Sequence, residues 1–210
     1  TTLFRSSYAK GIWDSPWCGF DNFKFLFITD DAWVITRNTL LYNLAFIIIG
    51  TIISVFMAIL LNELGEKLRG KFFQSTLLFP HLLSWVVTSY LVYALLGATN
   101  GFVNNTILAG MGKEGIDWYS VKMYWPLILI IVYIWKNAGY TAIVYMAGIA
   151  GIDKEIFEAA RIDGASKVKQ IISITLPMLR PTVIIMTLMS IGRIFYSDFG
   201  LFYQVPRSEE

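Results

Sequence analysis

Two cations and a carboxylate stand inside otherwise apolar stretches of this chain: Lys136, Arg193 and Asp198. Their neighbours, Lys136-Asn137-Ala138-Gly139-Tyr140 and Arg193-Ile194-Phe195-Tyr196, add an amide and two phenols. Planar and hydroxyl-bearing groups of this kind suit hydrogen bonding and stacking with a sugar. An ionisable side chain in hydrocarbon costs about 2.5–3.5 kcal/mol on insertion scales, so it turns toward a bundle interior or a polar path. Lys136 lies about 18 Å past Tyr124 along a helix, and Arg193 about 18 Å past Pro181 from the opposite side. Lys136, Asn137, Tyr140, Arg193 and Tyr196 are therefore candidates for lining a solute path. A structural reading stands beside this one, in which each cation bonds carbonyls, hydroxyls, Asp198 or a neighbouring helix. Pro80-His81 reads as a helix kink whose imidazole bonds a carbonyl.

Catalytic chemistry finds no footing. There is no Walker A loop, no nucleophile elbow, and no cluster of Cys, His or carboxylates at metal-ligand spacing. No catalytic residue, metal or cofactor is expected. A net charge of +2 gives no basic footprint for nucleic acid. The single cysteine, Cys18, cannot close an intrachain disulfide.

The elements that must position these residues are apolar helices. Of 210 residues, 56% are hydrophobic and only 15% charged, with a mean hydropathy of +0.58. Ordinary soluble domains are about 25% charged, so the expected class is an all-α integral membrane bundle in contact with lipid. Spans are expected at about 39–61, 72–97, 123–152 and 181–205, with a polar loop at 153–180. Thr1 to Asn38 is a polar-aromatic segment with Trp13, Trp17, Phe20, Phe23 and Phe25, a composition typical of membrane interfaces. Phe102 to Ala109 reads as a short surface helix within the glycine-punctuated loop 98–122. Lys67, Arg69 and Lys71 follow the first span, and Lys154, Arg161, Lys167, Lys169 and Arg180 lie in the polar loop. The loop between spans two and three has only Lys113 and Lys122, so the positive-inside tendency puts the first two segments in the cytoplasm.

The polar loop is the most specific stretch. Glu158 to Pro181 reads as two short helices with a bend between them: Asp153 caps the first, Gly164 ends it in the left-handed conformation, and Ser166 caps the second. Val168, Ile171, Ile172 and Thr175/Leu176 are expected on one face of the second helix, and Pro177 is expected to stop it. Glu158-Ala159-Ala160, Gly164, Ile174 and Leu176-Pro177 at this spacing resemble the EAA loop of bacterial ABC-importer permeases. Asp163-Gly164-Ala165 and Pro181 are similar to its sugar-importer branch, and Gly19-Phe20-Asp21-Asn22-Phe23 to an outer-loop segment of that branch. Asp198-Phe199-Gly200 through Pro206 is similar to permeases for larger saccharides.

The resemblance implies a MetI-like type I transmembrane domain over residues 35–210, with residues 1–34 extracytoplasmic and the first and last helices of the family outside this chain. It implies a multi-pass permease in the bacterial plasma membrane that imports a carbohydrate. Glu158, Ala159, Ala160, Asp163, Gly164, Ala165, Leu176 and Pro177 would form the ATPase-coupling surface. The implied partners are a cytoplasmic ATPase dimer, a second permease subunit, and an extracellular or periplasmic solute-binding protein. Two other classes fit the composition alone. One is an ion-coupled secondary transporter with Lys136, Arg193 and Asp198 as its relay; the other is a membrane scaffold that transports nothing.

Overall fold

The structure is a computed structural model that describes residues 30–65 and 68–206, apart from the Arg69 side chain. The expectations on residues 1–29, on Glu66 and Lys67 and on residues 207–210 lie outside the described residues. Contacts divide the chain into a unit up to Leu41 and a unit from Tyr42 onward. Of the first unit the structure describes only residues 30–41, the opening turns of a long helix.

Among the described residues all regular structure is helical. The main elements are α1 (Asp31–Leu64), α2 (Leu68–Leu82), α3 (Trp85–Leu96), α4 (Trp125–Ala150), α5 (Lys154–Ile162), α6 (Lys167–Gln170) and α7 (Leu176–Ile191). Helices covering Asp31–Leu64, Lys122–Ala150 and Lys167–Ile191 are long and apolar enough to cross a membrane. A fourth crossing is available if α2 and α3, bent by 100°, form one broken span.

Two side-chain layers set the directions within the second unit. Phe46 of α1 stacks on Tyr133 of α4, with ring centroids 3.9 Å apart and 13° between planes. Farther along both helices, Ala58 of α1 joins Ala142 and Tyr145 of α4 in a second buried cluster with Leu179. Sequence number rises together in the two helices, so from Tyr42 onward α1 runs parallel to α4. Helix α2 runs the other way along α4: Gln74 Nε2 reaches Met146 Sδ at 3.4 Å, and His81 stacks on Tyr140 with centroids 4.6 Å apart. Gly139 makes this approach possible, because a Cβ there would collide with the Leu77 carbonyl. Gly148 does the same for α7, where a Cβ would come 3.1 Å from Leu179 Cδ1 and Thr182 Oγ1. Small residues at helix contacts are what packing in lipid demands, since apolar side chains gain little from leaving hydrocarbon.

Three expected boundaries change. The interruption expected in the second span at Pro80-His81 falls a few residues later, as a full break at Leu83-Ser84, where Ser84 Oγ accepts from Val87 N at 3.2 Å and starts α3. Pro177 does not stop the second loop helix. It sits in the first turn of α7, and a π-helical turn at Ile171–Thr175 leads α6 into α7 without a break. Proline lacks the N–H that would bond the carbonyl four residues back. The widened π turn places the irregularity where that bond is missing. The last helix therefore ends at Ile191, and residues 192–205 form turns and a π-helical turn, Gly200–Gln204, rather than the end of a span. Phe102 to Ala109 is helical as expected, with a π-helical centre at Val103–Leu108.

Candidate functional site

The polar loop is built by local signals. Asp153 accepts from Glu155 N at 3.0 Å and opens α5. Helix α5 closes with Ala165 N on Ala160 O at 2.8 Å and Gly164 N on Arg161 O at 3.0 Å. This paired closure needs a left-handed residue, and Gly164 has φ +75°. Ser166 Oγ then accepts from Lys169 N at 3.4 Å to begin α6. Buried Gln170 locks the bend from below, its Nε2 donating to Ala165 O at 2.9 Å. Nothing in the local sequence marks Gln170, because its partner is a main-chain carbonyl across the turn.

Glu158 and Ala159 are exposed and Ala160 is half-buried, while Asp163 and Gly164 lie at the exposed bend. Ile162 is 87% exposed, an apolar side chain at the tip of a polar loop. The face that α6 and the following π turn bury is Gln170, Ile171, Ile174 and Thr175. Val168 and Ile172, expected on that face, are 64% and 60% exposed. Apolar residues at a membrane or partner boundary need not point inward, so helical spacing alone misplaces them. Leu176 is exposed and Pro177 half-buried. Between the loop and the end of α1 lies a cavity of about 320 Å³, lined by Asn62, Glu63, Phe157, Glu158, Arg161 and Gln170 among others. Lys167 Nζ bridges the same gap to Glu63 Oε2 at 2.7 Å.

The intramembrane candidates separate into two places. Lys136 is buried in the middle of α4. Its Nζ donates to Pro80 O at 3.2 Å, to His81 O at 3.3 Å and to Leu83 O. Pro80 and His81 lie in the last turn of α2 and Leu83 just beyond it, where the helix dipole favours a cation; Pro80 O also accepts from Leu83 N at 3.3 Å. The ammonium also sits 5.1 Å from the centroid of the Trp85 ring. Hydrogen bonds to a charged group contribute about 1.5–3 kcal/mol each, which offsets the insertion penalty of one lysine. Among the described residues Asp198 forms no ion pair with an ammonium. Its Oδ2 accepts from Trp85 Nε1 at 3.0 Å, and its Oδ1 accepts from Gly200 N at 2.8 Å. The His81 imidazole, expected on a carbonyl, lies against Tyr140, and its Nδ1 has no hydrogen-bond partner among the described residues.

Asn137 Nδ2 bonds Tyr133 O within its own helix at 2.9 Å, and Tyr140 is 47% exposed. Arg193 and Tyr196 sit elsewhere, in the exposed turn after α7. The helix begins at Lys167 and not at Pro181, so Arg193 lies about 39 Å from its start and past its end. The Tyr196 carbonyl is held by Asn43 Nδ2 at 3.0 Å. Outside the spans, Asn104 organises loop 98–122. Its amide bonds Ile116 O at 2.8 Å and its oxygen accepts from Trp118 Nε1 at 3.0 Å. Tyr119 packs edge-on against Trp125, and burial pushes its phenol up to about 12.

An apolar bundle with close helix contacts, a bent helix pair and a polar loop is the architecture of a multi-pass membrane protein. The chain belongs to the family of binding-protein-dependent transport system inner membrane components, which it matches over residues 37–197. It is 32% identical over 182 residues to the polygalacturonan/rhamnogalacturonan transport system permease protein YteP of Bacillus subtilis (strain 168), covering 87% of this chain and 56% of that protein. It is 31% identical over 159 residues to the lactose transport system permease protein LacF of Rhizobium radiobacter, covering 75% and 53%. The chain thus spans less than two thirds of the length of these curated relatives. Among solved structures it resembles a bacterial ABC transporter involved in the import of the acidic polysaccharide alginate. The TM-score is 0.83 at 31% identity, over 91% of this chain and 68% of that one. The fold is therefore the MetI-like all-α membrane bundle implied by the loop motif.

Proposed function

We propose that this chain is the permease part of an ATP-driven importer for a carbohydrate, of the oligosaccharide or polysaccharide-derived kind. The observation that carries the reading is the bent loop at residues 153–180, whose exposed Glu158, Ala159, Ile162 and Asp163 offer a rigid grip at one end of the bundle. Bending forces applied to α5 pass through Gly164 and Gln170 into the continuous Lys167–Ile191 helix. The partner on that grip is a cytoplasmic ATPase dimer. A second permease subunit completes the path, and a solute-binding protein delivers the sugar from outside. Relatives named for polygalacturonan/rhamnogalacturonan and lactose transport, and a neighbour named for alginate import, support the carbohydrate class.

Reconstitution of the full transporter tests this. The expected result is ATP hydrolysis stimulated by the saccharide-loaded binding protein, and uptake that survives an ionophore. Uptake abolished by the ionophore and indifferent to ATP would replace this reading with the ion-coupled one. No uptake of any solute under either driving force would leave only the scaffold.

A further inference from the structure

We propose that Lys136 is the pin of the broken second span, a positioning residue that holds α2 and α3 at their corner and so shapes the wall of the solute path. The path rests on the transport reading above; the corner does not. An ammonium has three N–H donors, and the three of Lys136 are matched by the carbonyls of Pro80, His81 and Leu83. No donor is left over for a solute. The cation gathers carbonyls from both sides of the point where the backbone turns through 100°, adding to the Leu83 N–Pro80 O bond there, and it does so from another helix. In hydrocarbon an open backbone turn is tolerated only where protein groups satisfy it.

The surroundings lock the same corner from two further sides. Gly139, one turn along α4 from Lys136, lets the α2 backbone lie flush against α4. Trp85, the first residue of α3, covers the ammonium with its ring and is fixed at its Nε1–H by Asp198. Gly200 admits the indole, since a Cβ there would strike it. The chain of contacts therefore runs from α2 through Lys136 and Trp85 to the turn at 198–201. Two of the three charged groups that the sequence offers as a relay, Lys136 and Asp198, are thus joined through Trp85 in one brace, and Arg193 lies outside it.

The test measures the corner directly in the full transporter. Spin labels at exposed Phe72 and Leu95, with Cys18→Ser, report the distance across the bend. Lys136→Met keeps the side-chain length and removes the donors; Lys136→Arg keeps cationic donors. The expected result is a narrow distance distribution in wild type and Lys136→Arg, and a broad or shifted one in Lys136→Met. Trp85→Phe keeps a ring and loses the bond to Asp198, and is expected to broaden the distribution partly; it carries the test if Lys136→Met fails to insert. Uptake is expected to fall roughly tenfold in Lys136→Met, by the same factor for neutral and acidic saccharides. A narrow wild-type distribution in Lys136→Met, or in Trp85→Phe where Lys136→Met does not insert, overturns the proposal. So does a loss confined to acidic saccharides, which would make Lys136 a solute contact. Because the distance needs no transport, a failed uptake assay would count against the carrier reading and leave the corner intact.

Discussion

At the scale of single residues, the loop depends most on Gly164. A left-handed backbone costs a residue with a Cβ about 1–2 kcal/mol, and no neighbouring atom lies within 4 Å of where that Cβ would stand. Strain without a clash should therefore alter the bend while sparing the fold. Gly164→Val is expected to abolish most saccharide-stimulated ATP hydrolysis in a reconstituted complex while the permease still inserts. Gly164→Asn, which tolerates the left-handed region, is expected to retain much of it; equal loss in both would remove backbone strain as the cause. Glu158→Lys and Ile162→Asp place charge on the exposed grip and are expected to weaken retention of the ATPase on co-purification. Lys167→Ala is the contrasting case. It breaks the bridge to Glu63, but both side chains are well exposed, at 58% and 40%. Such pairs contribute about 0–1 kcal/mol, so ATPase retention should stay near wild type. Gly164, Asp153 and Ser166 were legible in the sequence because a cap and its partner lie within a few residues. The partners of Lys136 were not, because the carbonyls it bonds lie 53 to 56 positions away.

At the scale of elements, apolar length located the helices and missed how they join. Pro80-His81 marks an interruption of the second span, but the place of the corner, Leu83-Ser84, and its angle of 100° do not follow from composition. Prolines misled in the opposite direction. Pro177 looks like a stop and Pro181 like the start of a new span, yet one helix runs through both, helped by the π turn at Ile171–Thr175. Helix contacts in lipid rest on close fit, which makes glycine positions the sensitive ones. Gly139→Val would drive a side chain into the Leu77 carbonyl, which as backbone cannot turn aside. Overpacking of this kind costs about 1–3 kcal/mol. The expected outcome is a lower thermal midpoint in detergent, with α2 more open to proteolysis or labelling. Gly50→Ala meets nothing within 4 Å and should leave the midpoint unchanged. A similar drop in both variants would mean that flexibility, not fit, sets the effect.

At the scale of the whole molecule, the question is which ends share a face of the membrane. Tyr42–Leu64 of α1 and the helix α4 run parallel through the Phe46–Tyr133 and Ala58–Tyr145 layers. Both deliver the chain to the bent loop, where Asn62 and Glu63 line one cavity with Glu158 and Arg161. The chain leaves α1 at the loop face and enters α4 at the opposite face. The α2–α3 pair between them must carry it back across, as a broken span and not as a re-entrant hairpin. The expected sides follow from the positive-inside tendency, with five basic residues in the loop at 153–180 against two in the loop at 98–122. Cysteine labelling in a Cys18→Ser background resolves both points. Asn62→Cys and Lys169→Cys should react with an impermeant reagent only from the cytoplasm, and Lys113→Cys only from outside; all three positions are exposed. Asn104 is a poor reporter, because its amide is buried and holds its loop together. Labelling of Lys113→Cys and Lys169→Cys from the same side would make the α2–α3 pair a hairpin and break the topology. Opposite sides with the reverse sense would keep the topology, turn the loop outward and leave no cytoplasmic surface for an ATPase to grip.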